Sequence, residues 1–331
     1  MTTPLKHLFL AVSALLLLNF SWGFYAHKEI NRLAVFTLPP EMLGFYKKNI
    51  GYLTEAAVNP DKRRYAVEAE ASRHYIDLDH YGDSALHEMP IHWEPAVKQY
   101  TEDTLQAYGI VPWHINRVYY RLREAFLLKD PERILRLSAD IGHYIADAHV
   151  PLHTTQNYDG QQTGQTGIHA FWESRLPELF ASDYNFFVGR ASYLEDPQEA
   201  AWKAVASAHH ALDSVFGLER ELSRKMGRKR YSFETKGRRT ERVYSREYAG
   251  AYHDALAGMV ERQMRAAIKA TGDFWYSAWV DAGQPDLDVL SDYQPTAEEL
   301  QQRRAELRRW RNLNHAKDSL HHPGQEQRLE Q

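Results

Sequence analysis

Apolar residues recur at steps of three and four positions through most of this 331-residue chain. That period matches the 3.6 residues per turn of an α-helix and predicts amphipathic helices that bury one face. Pro40, Pro60 and Pro131 separate periodic segments, and a proline at a first helical position favours a helix start. Helices are therefore predicted over residues 26–37, 41–50, 92–108, 113–129, 131–149, 168–181, 197–217 and 242–271.

The same pattern predicts an all-α fold with little β structure, because no run alternates polar and apolar residues beside clear hairpin turn residues. We expect one multi-helix domain over residues 22–290, followed by a charged C-terminal helix and tail over 291–331. The polar, glycine-rich residues 157–167 predict a loop. Residues 220–246 hold eleven Lys or Arg and predict a solvated loop, with a phosphate-binding patch as the alternative.

The N-terminus has the pattern of a secretory signal peptide. Lys6 and His7 precede the mostly apolar residues 8–18, a run too short to span a bilayer comfortably. Cleavage after Ser21 would leave a secreted or periplasmic protein with no remaining membrane-spanning segment; an uncleaved anchor is the alternative. Cysteine is absent, which excludes disulfides and thiolate metal sites. The formal net charge of −4 gives no general electrostatic reason to bind nucleic acid.

Two histidine–acid pairs have the spacing of metal ligands on a helix. His143 and Asp147, and then His169 and Glu173, are each four positions apart, so each pair shares one helical face. His153 follows the first pair in the run HYIADAHVPLH. Imidazole and carboxylate ligands suit zinc or another borderline divalent metal. A chain this rich in histidine and acid also yields such pairs by chance, so a surface pair remains the simpler interpretation of any one of them.

Four positions upstream complete a larger candidate set. Cleavage after Ser21 would expose the amine and carbonyl of Trp22, and His27 follows five residues later. Asp61 lies in the segment NPDKRRY, and His74 lies in RHYIDLDHYG. With the five downstream residues, these make nine candidate metal-binding positions.

The order of these nine positions along the chain resembles the order of the metal ligands in one superfamily. That superfamily comprises bacterial zinc-dependent phospholipases C and fungal and plant single-strand-specific zinc nucleases. Proteins of that superfamily are mostly α-helical and hold three zinc ions at the bottom of a cleft. The resemblance spans about 150 residues, with only helical content in common after residue 180 or so. It implies three Zn²⁺ ions: one held by Asp61, His74, His143 and Asp147; a second by the Trp22 backbone and His27, with Asp147 bridging; and a third by His153, His169 and Glu173.

The implied activity is hydrolysis of a phosphoester. A metal-bridging hydroxide would attack the phosphorus, since zinc lowers the pKa of bound water to about 7. Asp147, as the bridging ligand, and Asp61, as a ligand and possible base, are the residues assigned to catalysis. A helical zinc-binding protein without turnover is the alternative from another class. No protein partner is implied.

The sequence leaves two substrate classes open and favours a lipid headgroup over single-stranded nucleic acid. Glu173 as the last ligand, the short gap between His153 and His169, and the absence of cysteine are typical of the phospholipase branch. The spacing from Trp22 to His27 and the segment IHAFWE are closer to the nucleases. The candidate substrate-binding residues are Tyr75, where the nucleases carry a base-stacking aromatic, and Phe24 and Tyr25, where the phospholipases carry a headgroup-binding acid.

Overall fold

A computed structural model describes residues 24–236 and 239–290, together with Glu298 and Gln301. The predicted signal peptide over residues 1–21 and the candidate ligand Trp22 lie outside the described residues. So does the predicted C-terminal helix and tail, apart from Glu298 and Gln301.

The described chain is mostly α-helical, which confirms the predicted fold class. Seven helices lie in its first part: α1 Phe24–Ala34, α2 Pro40–Lys48, α3 Ile50–Ala56, α4 Asn59–Arg63, α5 Ala85–Glu88, α6 Trp93–Tyr100 and α7 Glu102–Tyr108. Seven more follow: α8 Val111–Leu127, α9 Pro131–Ala148, α10 Ile168–Ala170, α11 Leu176–Phe180, α12 Pro197–Met226, α13 Arg246–Ala255 and α14 Met259–Asp281. Within these residues no helix is both long enough and apolar enough to span a bilayer.

Helix α9 lies at the centre of the fold and packs against α1, α3, α8 and α14. Asp130 caps its start by accepting a hydrogen bond from the Arg133 backbone N–H at 3.0 Å, and Pro131 occupies the first turn. The helix ends shortly before Pro151, because the residue before a proline is driven into extended backbone. Its apolar face lies in the larger of two buried apolar clusters, and its last turns carry His143 and Asp147.

Helices α1 and α9 approach each other closely at Gly142. A Cβ atom there would collide with the Asn31 side chain, so only glycine allows the contact. Asn31 is buried and donates to the backbone carbonyls of Ala139, at 3.0 Å, and Leu53, at 3.4 Å. These bonds join α1, α3 and α9, and they fix the position of the histidine that α1 carries.

A second apolar cluster lies beside the first, and α12 contributes residues to both. This helix continues to Met226, beyond the predicted end at residue 217. The basic segment that follows is a β-hairpin and not a loop, formed by β1 Tyr231–Lys236 and β2 Arg239–Tyr244. Arg175 Nη1 donates to Glu234 Oε2 at 3.0 Å and so ties the hairpin to the segment after α10.

The predicted helix over residues 242–271 is wrong in its extent. Its start is strand β2, and its remainder is divided between α13 and α14. The division falls at Ala257 and Gly258, which have φ values of 48° and 77°. Left-handed backbone cannot continue an α-helix, and glycine adopts it at the least cost.

The segment between α10 and α11 is a π-helical turn, Phe171–Arg175. In such a turn the backbone bonds skip one residue more than in an α-helix, which widens the turn locally. His169 lies just before the turn and Glu173 lies within it. Short 3₁₀ turns, Glu68–His74 and Pro151–Thr154, carry His74 and His153.

Candidate metal centre

Eight of the nine candidate ligands lie among the described residues, and the fold brings all eight together. They fall into three groups whose nitrogen and oxygen atoms lie within 4.8 Å of one another and could hold a metal ion. The groups are His27, Asp61 and His143; His74, His143 and Asp147; and His153, His169 and Glu173. The ninth candidate, Trp22, lies outside the described chain.

One carboxylate oxygen of Asp147, Oδ2, faces two buried imidazoles. It lies 2.9 Å from His74 Nδ1 and 3.1 Å from His143 Nε2. Those two ring nitrogens are 3.0 Å apart. Asp61 Oδ1 completes the set, at 3.8 Å from the His74 nitrogen and 3.7 Å from the His143 nitrogen. Four ligand atoms from α4, α9 and the turn ending at His74 therefore surround one small space.

The other oxygen of Asp147, Oδ1, faces a different pair of imidazoles. It lies 3.5 Å from His27 Nε2 and 3.4 Å from His153 Nδ1. The His27 and His143 rings stack with their centroids 4.1 Å apart. Asp147 thus stands between two sets of ring nitrogens, and each carboxylate oxygen serves one set.

The third group lies on the far side of the His153 ring. His153 Nε2 is 2.9 Å from His169 Nε2, and each of these nitrogens is close to Glu173 Oε2, at 3.3 and 3.0 Å respectively. Burial raises the pKa of Glu173, but the neighbouring His169 and His153 outweigh it and hold that pKa well below its usual range. The predicted pair, His169 and Glu173, therefore shares one face at the start of the π-helical turn, and the fold places His153 beside it.

These distances suit a transition metal. Ligand atoms about 2.0–2.1 Å from a tetrahedral zinc lie roughly 3.3 Å from one another, and the distances of 2.9 to 3.8 Å given above fall around that value. In two of the groups, ring nitrogens of different histidines face each other at 2.9 to 3.0 Å, and lone pairs so close favour a shared cation. The residues present therefore fit a bound cation.

Metal-binding imidazoles usually donate their second N–H to a neighbouring oxygen. His143 does so through Nδ1, which lies 2.8 Å from the Ala57 carbonyl oxygen. His74 Nε2 faces Glu70 Oε1 at 3.9 Å, and the Glu70 carboxylate is fully buried. Glu70 was not among the candidates chosen from the sequence, although it precedes His74 by four residues, the same spacing that identified the other pairs.

The electrostatics of the centre follow from burial and from the two carboxylates. Burial, assisted by the charge of His143, lowers the pKa of His27 to about 4. Burial also opposes charge on His143, but Asp147 and Asp61 outweigh it and raise the pKa of His143 to about 9. For Asp147, burial is outweighed by His143 and His153, which hold its pKa well below the usual range. Ionised carboxylates are the form that a metal requires.

The candidate substrate-binding residues have more ordinary surroundings. The Tyr75 hydroxyl donates to the Ala107 carbonyl at 3.3 Å, and its ring lies against Gly109. Phe24 and Tyr25 form the first turn of α1, where the Tyr25 side chain is 37% exposed. Burial and the nearby Glu29 raise the pKa of Tyr25.

Two further histidines, His149 and His209, lie outside the three groups. The His149 Nδ1 atom lies 2.7 Å from the Ile145 carbonyl of its own helix. His209 Nδ1 lies 3.0 Å from Thr154 Oγ1.

No protein-family model matches this sequence, and no curated protein matches it either. The residues of the centre are therefore the basis for any functional assignment.

Proposed function

We propose that this chain is a zinc-dependent phosphoester hydrolase that holds three zinc ions. One observation carries the proposal: eight ligand positions chosen from the sequence lie in three adjoining groups of metal-binding geometry. A mixed set of imidazole and carboxylate ligands with no thiolate suits zinc. Asp147, with one oxygen toward each of two imidazole pairs, supports a shared ligand between two ions.

The chemistry that suits this centre is attack on phosphorus. Bound zinc supplies Lewis acidity, which lowers the pKa of water to about 7 and stabilises negative charge on phosphoester oxygens. Asp61 has a partly exposed carboxylate, 20% accessible, so it can reach solvent as a base while facing the buried imidazoles. Lys62 and Arg64 follow Asp61 in the sequence, and their positive charges act on Asp61 and on His74 and His153 respectively. That charge favours an anionic substrate.

We favour a lipid headgroup phosphodiester, as in phospholipase C, for the exported protein. Glu173 as the final ligand and the short link between His153 and His169 support this branch. The second candidate is a single-strand-specific nuclease or 3'-nucleotidase. Two aromatic residues beside candidate ligands support it. Tyr75 directly follows His74, and the Tyr158 and His169 rings meet edge-on with their centroids 5.7 Å apart. Bases stack on aromatic side chains of this kind.

The test is hydrolysis by protein that begins at Trp22 and has been loaded with zinc. Phospholipids with different headgroups and single-stranded DNA are supplied side by side, each with and without a chelator, because Phe24 and Tyr25 give no acidic side chain to select choline. We expect chelator-sensitive release of the phosphorylated headgroup that changes little with salt. Cleavage of DNA alone, falling steeply as salt rises, would support the nuclease instead. Tight zinc binding with no hydrolysis of either substrate would support the non-catalytic alternative.

A second experiment addresses Trp22. One extra residue before Trp22 would displace its amine, and we expect the zinc content to fall by one ion per chain. The comparison is protein that begins at Trp22 itself, measured by metal analysis after identical dialysis. Equal zinc content in the two proteins would remove Trp22 from the ligand set.

A further inference from the structure

A small cavity lies beside His27. It measures about 30 Å³ and is bounded by α1, α9, α14 and the π-helical turn. Most of its lining is apolar, including Ile30, Val260 and Met264. Five polar side chains interrupt that lining: His27, His149, Trp172, Glu173 and Gln263.

His149 Nδ1 and Glu173 Oε2 have the contacts described above, but each of the other three side chains has a buried polar atom without a hydrogen-bond partner among the described residues. The atoms are His27 Nδ1, Trp172 Nε1 and Gln263 Oε1. The three residues are 7%, 3% and 8% exposed. A buried polar atom without a hydrogen-bond partner lowers the stability of the folded state. Three such atoms from separate elements around one cavity indicate that a polar molecule occupies it and bonds to all three.

The cavity has the size and the chemistry for water. A buried water needs about 10–15 Å³ open to its centre and two to four polar partners, so this cavity suits about two molecules. The indole N–H of Trp172 can only donate, and the Gln263 carbonyl oxygen can only accept. Water does both, and can therefore link these groups to the second nitrogen of His27.

We propose that ordered water in this cavity carries a hydrogen bond from His27 Nδ1–H to the Gln263 amide oxygen. Gln263 is then a positioning residue, since it holds the proton on Nδ1 and leaves the lone pair of Nε2 facing Asp147. His143 reaches the same result through the Ala57 carbonyl. The inference rests on the proposed function, because it assigns His27 Nε2 to a bound zinc ion.

The experiment compares Gln263→Met with Gln263→Glu in the zinc-loaded protein that begins at Trp22. Methionine keeps the volume and removes the acceptor, whereas glutamate keeps an acceptor in the same place. Zinc affinity is measured by competition with a fluorescent chelator. We expect Gln263→Met to weaken one of the bound ions by about 10–100-fold, the range for a lost partner of a ligand imidazole. Gln263→Glu should keep affinity within a few-fold of the parent.

Met264→Leu is the matched control, because Met264 lines the same cavity without a polar group. Thermal unfolding of every variant in excess chelator separates positioning from folding. Gln263→Met should unfold no earlier than the parent there, since methionine suits the apolar wall. Unchanged zinc affinity in Gln263→Met would overturn the inference. So would equal losses in Gln263→Met, Gln263→Glu and Met264→Leu, which would indicate packing alone.

The inference and the proposed function fail in different ways. A parent protein that binds zinc but hydrolyses neither substrate would refute the hydrolase, and the Gln263 comparison would still be decisive on metal affinity. A parent protein that binds no zinc would refute both.

Discussion

Asp147 is the residue on which the centre depends most. It is almost wholly buried, and its two oxygens are divided between His74 with His143 and His27 with His153. A buried carboxylate with four imidazole neighbours can act as a shared ligand. An asparagine side chain has the same shape as an aspartate, but only its oxygen can accept a hydrogen bond or bind a metal, whereas its nitrogen can only donate.

Asp147→Asn should therefore disturb two ions at once. We expect loss of about two zinc ions per chain and at least about 100-fold slower phosphodiester hydrolysis, since even the outer partners of metal ligands are worth 10–100-fold. Metal analysis and initial rates measure the two effects. Asp213→Asn, at an exposed position in α12, makes the same chemical change and should alter neither. Full zinc content in Asp147→Asn would contradict the bridging role.

The stability of the chelated protein should be greatest near pH 6.5, because two imidazoles have pKa values shifted in opposite directions. The pKa of His143 is raised from 6.5 to about 9, so its contribution to folding stability is complete below pH 6.5 and is lost as the pH rises through 9. The pKa of His27 is lowered from 6.5 to about 4, so its contribution to folding stability is complete above pH 6.5 and is lost as the pH falls through 4. Urea unfolding between pH 4 and 10 in excess chelator measures both limbs. A flat profile across that range would contradict the two assignments.

At the scale of the element, the helical period predicted most of the long helices but not the positions at which the backbone interrupts them. Residues 131–149 matched α9 closely, because proline, a capping aspartate and apolar periodicity agree there. The separation of α13 from α14 depends on left-handed backbone at Ala257 and Gly258, which periodicity does not register. The hairpin was missed because its strands carry many charges and few apolar residues.

The contact between α1 and α9 gives a prediction at this scale. Gly142→Ala places a methyl group against Asn31, so the helices must move apart, and the His27 and His143 rings with them. We expect a loss of about 1–3 kcal/mol in the free energy of unfolding, typical of overpacking, together with weaker zinc binding. Urea unfolding and chelator competition measure these quantities.

Gly217→Ala is the matched control for that change. Gly217 lies inside α12, and apart from its chain neighbours and the backbone of its own helix no atom lies within 4 Å of the position that an alanine methyl group would take there. Alanine should therefore stabilise the helix by about 0.5–1 kcal/mol. Equal effects of the two substitutions would show that the close contact at Gly142 is unimportant.

At the scale of the whole molecule, the centre is built from segments far apart in the chain. The order of the candidate ligands could be predicted from the sequence, but their distances could not. Those distances depend on tertiary bonds such as Ile76 N–H to the His153 carbonyl at 2.9 Å, which joins two ligand-bearing segments. Gln263 was missed for the same reason, since it is not distinctive until the fold places it at the same cavity as His27. Glu70 was missed although its four-residue spacing from His74 is visible in the sequence.

Zinc should stabilise the whole fold, because the proposed ligands come from α1, α4, α9 and the turns around them. A ligand at about 1,000 times its dissociation constant stabilises the folded state by about 4 kcal/mol per independent site. We expect the melting temperature to rise by several degrees with zinc and to return on chelation. Magnesium, which prefers oxygen ligands, is the control and should have little effect. Identical melting curves with zinc and with chelator would contradict a structural linkage between the metal and the fold.

The π-helical turn Phe171–Arg175 has a consequence for how this region tolerates insertions and deletions. A turn of this kind accommodates one residue more than an α-helix, so losing a single residue there would leave a regular helix with its backbone bonds intact. Because the wide turn had absorbed the extra residue, the side chains beyond the deletion would keep roughly their directions. Arg175 would stay within reach of Glu234, and the hairpin would keep its anchor. The same deletion inside the regular helix α9 would instead rotate every later side chain of that helix by about 100° and carry Asp147 away from the imidazoles.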